Sequence, residues 1–202
     1  MKKRFFFAFI LGVFFSTQLL ADSPVTQEVK EEARKVLREL IAIDTTNPPG
    51  DEMEAVKWVE DYLKKEKIEL KILESEKGRG NLWARIKGNG SAKPLILTAH
   101  LDVVGAKREA WQSDPFKMEA RQGYLYGRGV IDDKGMAAAS LVVMKLLNRE
   151  KTALNRDVIL LLAADEESGS KLGIQWMVEH HPDLLQADAV INEGGPIYYE
   201  GD

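Results

Sequence analysis

The 202-residue sequence has no cysteine and only three histidines. Its longest apolar run, Phe5 to Phe15, is too short for a membrane span, which takes about 20 residues. The lack of cysteine excludes a thiol nucleophile, disulfides, Cys-ligated zinc and lipid attachment through sulfur. Any metal must therefore be held by His, Asp and Glu. Neither sign of charge dominates, with 28 Lys and Arg against 32 Asp and Glu and a net charge of −4. That balance argues against a polybasic nucleic-acid binder and against a disordered acidic tail. There is no G-x-S-x-G nucleophile elbow, and neither phosphate-binding glycine pattern, G-x-x-x-x-G-K-[ST] or G-x-G-x-x-G, occurs.

At the N-terminus Lys2, Lys3 and Arg4 precede the apolar run, and Ser16, Thr17, Gln18 and the small Ala21 follow it. This is the layout of a secretory signal peptide over residues 1–21, which predicts export to a periplasmic or extracellular location. Membrane association is expected only if the segment stays uncleaved. Residues 22–202 are expected to form a single core. The chain stops at Tyr199-Glu200-Gly201-Asp202 with no closing helix, and is expected to be a piece of a longer product.

Apolar residues at Val25, Val29, Ala33, Val36, Leu37, Leu40 and Ile41 predict one amphipathic helix, and Val56, Val59 and Leu63 a second. The period then becomes two. Ile68, Leu70 and Ile72, and again Leu82, Ala84 and Ile86, alternate with other residues as in half-buried strands. Leu95 to Leu97, Val158 to Leu162 and Ala189 to Ile191 are continuous apolar runs, the pattern of strands covered on both faces. Gly135 to Leu147 and Leu172 to Glu179 read as helices between them. The alternation predicts an α/β fold, a three-layer sandwich around a largely parallel, mixed sheet.

In such sheets ligands bind beyond the carboxyl ends of the strands. The apolar runs lead into His100-Leu-Asp102, Asp165-Glu166-Glu167 and Asn192-Glu193-Gly-Gly, and Asp132-Asp133 lies in a glycine-rich loop before a helix. Carboxylates crowded at one sheet edge repel unless cations neutralise them, so a divalent metal is the natural resolution. Singly these motifs are unspecific: an acidic triplet is more often a solvated turn. His180-His181, before Pro182 at a helix end, reads as structural. The conjunction carries the argument.

His100-Leu-Asp102-Val-Val, Gly127-Arg-Gly-Val-Ile-Asp132-Asp-Lys-Gly135, Asp165-Glu166-Glu167-Ser-Gly and Asn192-Glu193-Gly-Gly, in this order, resemble the N-terminal half of the dizinc aminoacylase/carboxypeptidase metallopeptidase family. That family includes acetylornithine deacetylase, succinyl-diaminopimelate desuccinylase and carboxypeptidases of the G and S types. The stretch Trp111-Gln-Ser-Asp-Pro-Phe116 looks closest to the aminoacylase and carboxypeptidase S branch. The resemblance covers residues 26–202 and implies an incomplete catalytic domain. On this resemblance the lid or dimerisation domain, the C-terminal part and a second histidine ligand are expected to lie outside these residues.

The resemblance further implies two zinc ions, with cobalt or manganese as substitutes, about 3.5 Å apart. Asp132 would bridge them, His100 and Glu193 would serve one and Glu167 the other. Asp102, two residues from His100, would face the same way and orient the imidazole. Glu166 would be the general base in hydrolysing an amide bond of a small peptide or N-acyl amino acid, by a full-length protein that forms a homodimer. Two alternatives remain open: a truncated, inactive metal-binding or interaction relic, and another dimetal hydrolase such as an aminopeptidase or phosphoesterase.

Overall fold

The computed structural model describes residues 25–194; the expected leader at 1–21 and the sequence from Gly195 onward lie outside the described residues. Helix α1, Gln27–Ala42, begins at Thr26, whose hydroxyl accepts the Val29 N–H at 3.3 Å and satisfies one of the donors that a helix start leaves unpaired. Its buried stripe is Val36, Leu37, Leu40 and Ile41. Helix α2, Glu52–Leu63, buries Val56, Val59 and Leu63, as the spacing predicts. Strands β1, Glu69–Glu76, and β2, Arg79–Ile86, form an antiparallel pair, followed by β3, Leu95–His100. A hairpin of β4, Glu119–Arg121, and β5, Tyr124–Tyr126, turns through Gln122 and Gly123, both at positive φ. Helix α3, Lys134–Arg149, strand β6, Val158–Ala163, helix α4, Ile174–His180, and strand β7, Ala189–Ile191, complete the order.

The five-stranded sheet runs β1-β2-β6-β3-β7. It is mixed: β3 pairs in parallel with β6 and β7, while β1-β2 and β2-β6 are antiparallel. Because side chains alternate across a strand, Leu97, Ala99, Leu160 and Leu162 face α1, α2 and α3 in the larger core. Ile96, Ile159, Leu161 and Trp83 face Met177 of α4 and Leu184 in a smaller one. This is the expected α/β sandwich.

Two strands differ from the expectation. β2 is mostly buried on both faces rather than half-buried, because Leu82 and Ala84 pack into the larger core on one side of the sheet and Trp83 into the smaller one on the other. β7, whose apolar run predicts cover on both faces, is an exposed edge among the described residues, with Val190 at 58% and Ile191 at 50% exposure. An apolar run reports what a strand can bury; its neighbours decide what is buried. No helix of the described residues is long and apolar enough to cross a membrane.

Candidate metal centre

Parallel pairing of β3, β6 and β7 brings their carboxyl ends to one edge of the sheet. His100 closes β3, Asp165 to Glu167 follow β6, and Asn192 and Glu193 follow β7. The loop before α3 adds Asp132 and Asp133. His100 is buried, and its Nε2 lies 2.8 Å from Asp132 Oδ1, 3.8 Å from Glu193 Oε2 and 3.9 Å from Glu166 Oε2. Ligand atoms of His100, Asp132 and Glu167 lie within 4.8 Å of one another, and so do those of His100, Asp133 and Glu193. The structure thus brings together all four residues expected as ligands. Asp133, named in the sequence only as half of an acidic pair and expected in no ligand role, joins Glu193 beside the imidazole. Its Oδ2 accepts the His100 main-chain N–H at 3.3 Å.

Asp102 is buried beneath the site. Its carboxylate lies 3.3 Å from His100 Nδ1, and its carbonyl oxygen is nearer to that nitrogen at 3.0 Å. The carboxylate also has other partners. Oδ1 accepts the main-chain N–H of Glu166, and Oδ2 that of Glu167, each at 3.0 Å. Asp102 therefore bears on the imidazole and on both glutamates.

The site is electrostatically crowded. Burial pulls the His100 imidazolium toward deprotonation, but the Asp102, Asp132 and Asp133 carboxylates outweigh it and hold the pKa up at about 10. Burial lifts Asp133 to about 7, Glu193 and Asp132 adding to the push against the pull of His100. Burial and the neighbouring Asp132 raise Glu167 and Glu193 as well. Asp102 goes the other way: burial would raise it, but hydrogen bonds from His100, Asn47 and the Glu167 N–H win. One imidazole nitrogen and several carboxylates, with ligand atoms within reach of common centres, form an oxygen- and nitrogen-rich donor set that fits a divalent cation such as zinc.

A model of the peptidase family M20/M25/M40 matches residues 96–201, more than half of the chain. The chain belongs to this family. Its M20 relatives include an N-formyl-4-amino-5-aminomethyl-2-methylpyrimidine deformylase of Bacillus subtilis, 33% identical over 71% of this chain and 34% of the relative. A succinyl-diaminopimelate desuccinylase of Delftia acidovorans is 43% identical over 49% of this chain and 26% of the relative. The M20 family metallo-carboxypeptidase Sso-CP2 from Sulfolobus solfataricus superposes with a TM-score of 0.70 at 28% identity, covering 81% of this chain and 37% of that one. Human carnosine dipeptidase 1, at 22% identity and the same TM-score of 0.70 over 84% of this chain and 40% of its own, shows the shared fold. The chain spans about a third of the length of the curated relatives it matches. The groups of His, Asp and Glu side chains that could hold a metal ion all come from residues of this chain.

Several residues behind the site are given no role by the sequence, whether or not they lie in its motifs. Asp165, whose acidic triplet by itself reads as a solvated turn, is 5% exposed with φ at 66°, and turns away from Glu166 and Glu167 into the protein. There it accepts hydrogen bonds from Arg79 Nη2 at 3.0 Å, Asn47 Nδ2 at 3.1 Å and the Leu172 N–H at 3.1 Å. Arg79 also forks onto the fully buried Glu52 at 2.8 and 2.9 Å. Burial pushes the Glu52 carboxyl up while Arg79 pulls it down. Lys134, buried at the start of α3, donates to the carbonyl oxygens of Leu40 at 2.9 Å and Ile43 at 2.7 Å, and burial lowers its pKa to about 8. His180, read as structural, sets Nδ1 2.9 Å from the Trp176 carbonyl oxygen and stacks on the Trp176 ring.

Proposed function

We propose that the protein, in the longest form its reading frame encodes, hydrolyses an amide bond of a small peptide or N-acyl amino acid with two zinc ions. The observation that carries this reading is the placement of His100 Nε2, at the end of β3, among the carboxylates of Glu166 and Glu193 after the parallel strands β6 and β7 and of Asp132 in the loop before α3. His100, Asp132 and Glu193 would hold one ion, and Asp132 and Glu167 the other, with Asp133 close enough to His100 and Glu193 to assist. Such ions supply Lewis acidity to a carbonyl and acidify water.

Glu166 is assigned the proton transfer. Its side chain is exposed and faces His100, so it is open to solvent and to substrate at once. It accepts a proton as water adds to the amide carbon and gives that proton to the leaving nitrogen as the C–N bond breaks. A cavity of about 540 Å³ borders His100, Glu166 and Glu193, with Ile96, Leu161 and Ile174 along its wall, and is the seat assigned to the apolar part of the substrate. The N-terminal pattern supports export of this enzyme.

The test is metal content together with hydrolysis of N-acyl amino acids and dipeptides, run on this chain and on the longest product of its frame. Two zinc ions per long chain and amide cleavage are expected. Glu166→Gln should then lower kcat by about 10²–10⁴-fold with metal retained. A long product that binds no metal and cleaves nothing would make the protein a relic, and phosphate-ester hydrolysis without amide hydrolysis would change the reaction class. N-terminal sequencing of exported protein reads the leader: a mature chain beginning near residue 22 is expected, and an intact Met1 in the cell interior would end that reading.

A further inference from the structure

Behind the site lies a closed set of hydrogen bonds in which every donor is used. The Asn47 side chain is buried, and its two amide hydrogens go to two different carboxylates: Asp102 Oδ2 at 2.8 Å and Asp165 Oδ1 at 3.1 Å. Its Oδ1 accepts from Arg79 Nη1 at 3.4 Å. Arg79 spends its remaining donors on Glu52, on Asp165 and on the carbonyl of Pro49 at 2.6 Å. A guanidinium has five N–H groups in a fixed fork, and all five are matched here. A buried polar network complete in this way is rigid; one left incomplete is costly.

The two carboxylates that Asn47 bridges hold the two sides of one short segment. Asp102 carries the main-chain N–H groups of Glu166 and Glu167. Asp165 precedes that pair, accepts the Ser170 N–H on its carbonyl at 2.6 Å, and holds the Leu172 N–H on its side chain. Asp102 and Asp165 are both buried carboxylates, so without the Asn47 amide between them and the Arg79 guanidinium on Asp165 they would repel. The segment suspended from them would move.

We infer that Asn47 and Arg79 are positioning residues for Glu166 and Glu167: the Asn47 amide, seated by Arg79, fixes the separation of Asp102 and Asp165 and so the place of the two glutamates between them. Neither residue reaches the reacting atoms; both act through the carboxylates they bind. This inference rests on the proposed amide hydrolysis for its kinetic consequence and on hydrogen bonding alone for its structural one. A displacement of about 1 Å at a reacting group can cost about 10²-fold in rate.

The experiment compares Asn47→Leu, which keeps the volume and removes both donors, with Arg79→Lys, which keeps the charge and loses the fork. Both are made in the longest product of the frame. Asn47→Leu is expected to lower kcat about 10–100-fold with KM within about threefold. In metal-free protein it is expected to speed hydrogen exchange at the Glu166 and Glu167 amides about tenfold while β3 and β6 amides stay protected. Arg79→Lys should do the same to a smaller degree. Wild-type kcat and wild-type exchange at these two amides, with only a lower Tm, would reduce Asn47 to a packing role and overturn the inference. If Asn47→Leu loses protection throughout the sheet, Arg79→Lys decides, and unchanged exchange at Glu166 and Glu167 in it overturns the inference. A wild type that binds no metal and cleaves nothing defeats the proposed function instead, and the exchange comparison still decides the positioning.

Discussion

Asp102 holds Glu166 by the backbone: its Oδ1 accepts the Glu166 N–H at 3.0 Å while Oδ2 accepts the adjacent Glu167 N–H at the same distance. A carboxylate can accept on both oxygens, and an amide cannot. In Asp102→Asn, whichever way the amide is turned, an NH₂ group meets one of these donors or the Asn47 donor, and a buried polar group is left unpaired. The variant is expected to bind zinc about 10–100-fold more weakly, in the range found when a residue that orients a metal ligand is lost. Competition with a chelating dye measures this, and zinc affinity equal to wild type would show that the Asp102 charge is not needed to set the ligands.

Gly135 sits in the first turn of α3, three residues after Asp132, and a Cβ there would fall on the carbonyl oxygen of Val130. Alanine gains about 1 kcal/mol in helix propensity over glycine, but a main-chain oxygen cannot step aside as a flexible side chain can. Overpacking costs about 1–3 kcal/mol, so the steric effect wins. Gly135→Ala should unfold at lower urea and hold zinc less well, because relief of the clash moves the loop carrying Asp132 and Asp133. Gly194, where a Cβ meets nothing within 4 Å among the described residues, is the control, and its alanine variant should stay within about 0.5 kcal/mol of wild type. Equal stability of the two variants would refute the steric reading.

The parts of this molecule that follow a local period were legible in the sequence. Leu95 to Leu97 and Val158 to Leu162 announce buried strands by composition alone, and the residues after them had to gather at one edge once those strands ran parallel. His100, Asp165 to Glu167 and Glu193 came to notice in this way, and Asp132-Asp133 as an acidic pair in a glycine-rich loop; the choice of His100, Asp132, Glu167 and Glu193 as ligands came from the family resemblance. Asn47, Glu52 and Arg79 did not come to notice, because no periodicity distinguishes a buried polar residue from a solvated one. Asn47 meets Asp165 from 118 positions away. The inward turn of Asp165 depends on Arg79 and Asn47 being there to receive it, which no reading of Asp165-Glu166-Glu167 by itself could show.

Glu32 of α1 accepts hydrogen bonds from Lys145 Nζ at 2.7 Å and Tyr62 OH at 2.9 Å, joining α1, α2 and α3. Burial would raise its pKa, but these bonds and the charges of Lys145 and Arg149 outweigh burial and hold it below 4.5. A carboxylate with a depressed folded pKa stabilises the fold fully above its unfolded value and loses that contribution as the pH falls through the folded one. Glu32→Gln should therefore cost about 1–2 kcal/mol near neutral pH, the scale of a hydrogen bond to a charged group, and progressively less below about pH 4. Urea unfolding of both proteins across this range gives the difference directly. A gap that stays constant with pH would mean that the Glu32 charge contributes nothing and that the variant acts through packing.

Metal removal tests the centre as a folding element. The candidate ligand segments, at the ends of β3, β6 and β7 and before α3, meet through mostly carboxylate side chains, so a cation held there would bind the folded chain in a way the unfolded chain cannot match. Free zinc at about 100 times its Kd adds about 2.7 kcal/mol to stability. Chelation should lower the Tm of the longest product of the frame, and zinc should restore it, whereas magnesium, which favours octahedral oxygen sites, should restore it less. His100→Ala removes the buried nitrogen common to both ligand groups, and its Tm should respond to neither chelator nor zinc. An equal zinc-induced rise in wild type and His100→Ala would place the stabilising ion elsewhere on the protein and detach His100 from the metal.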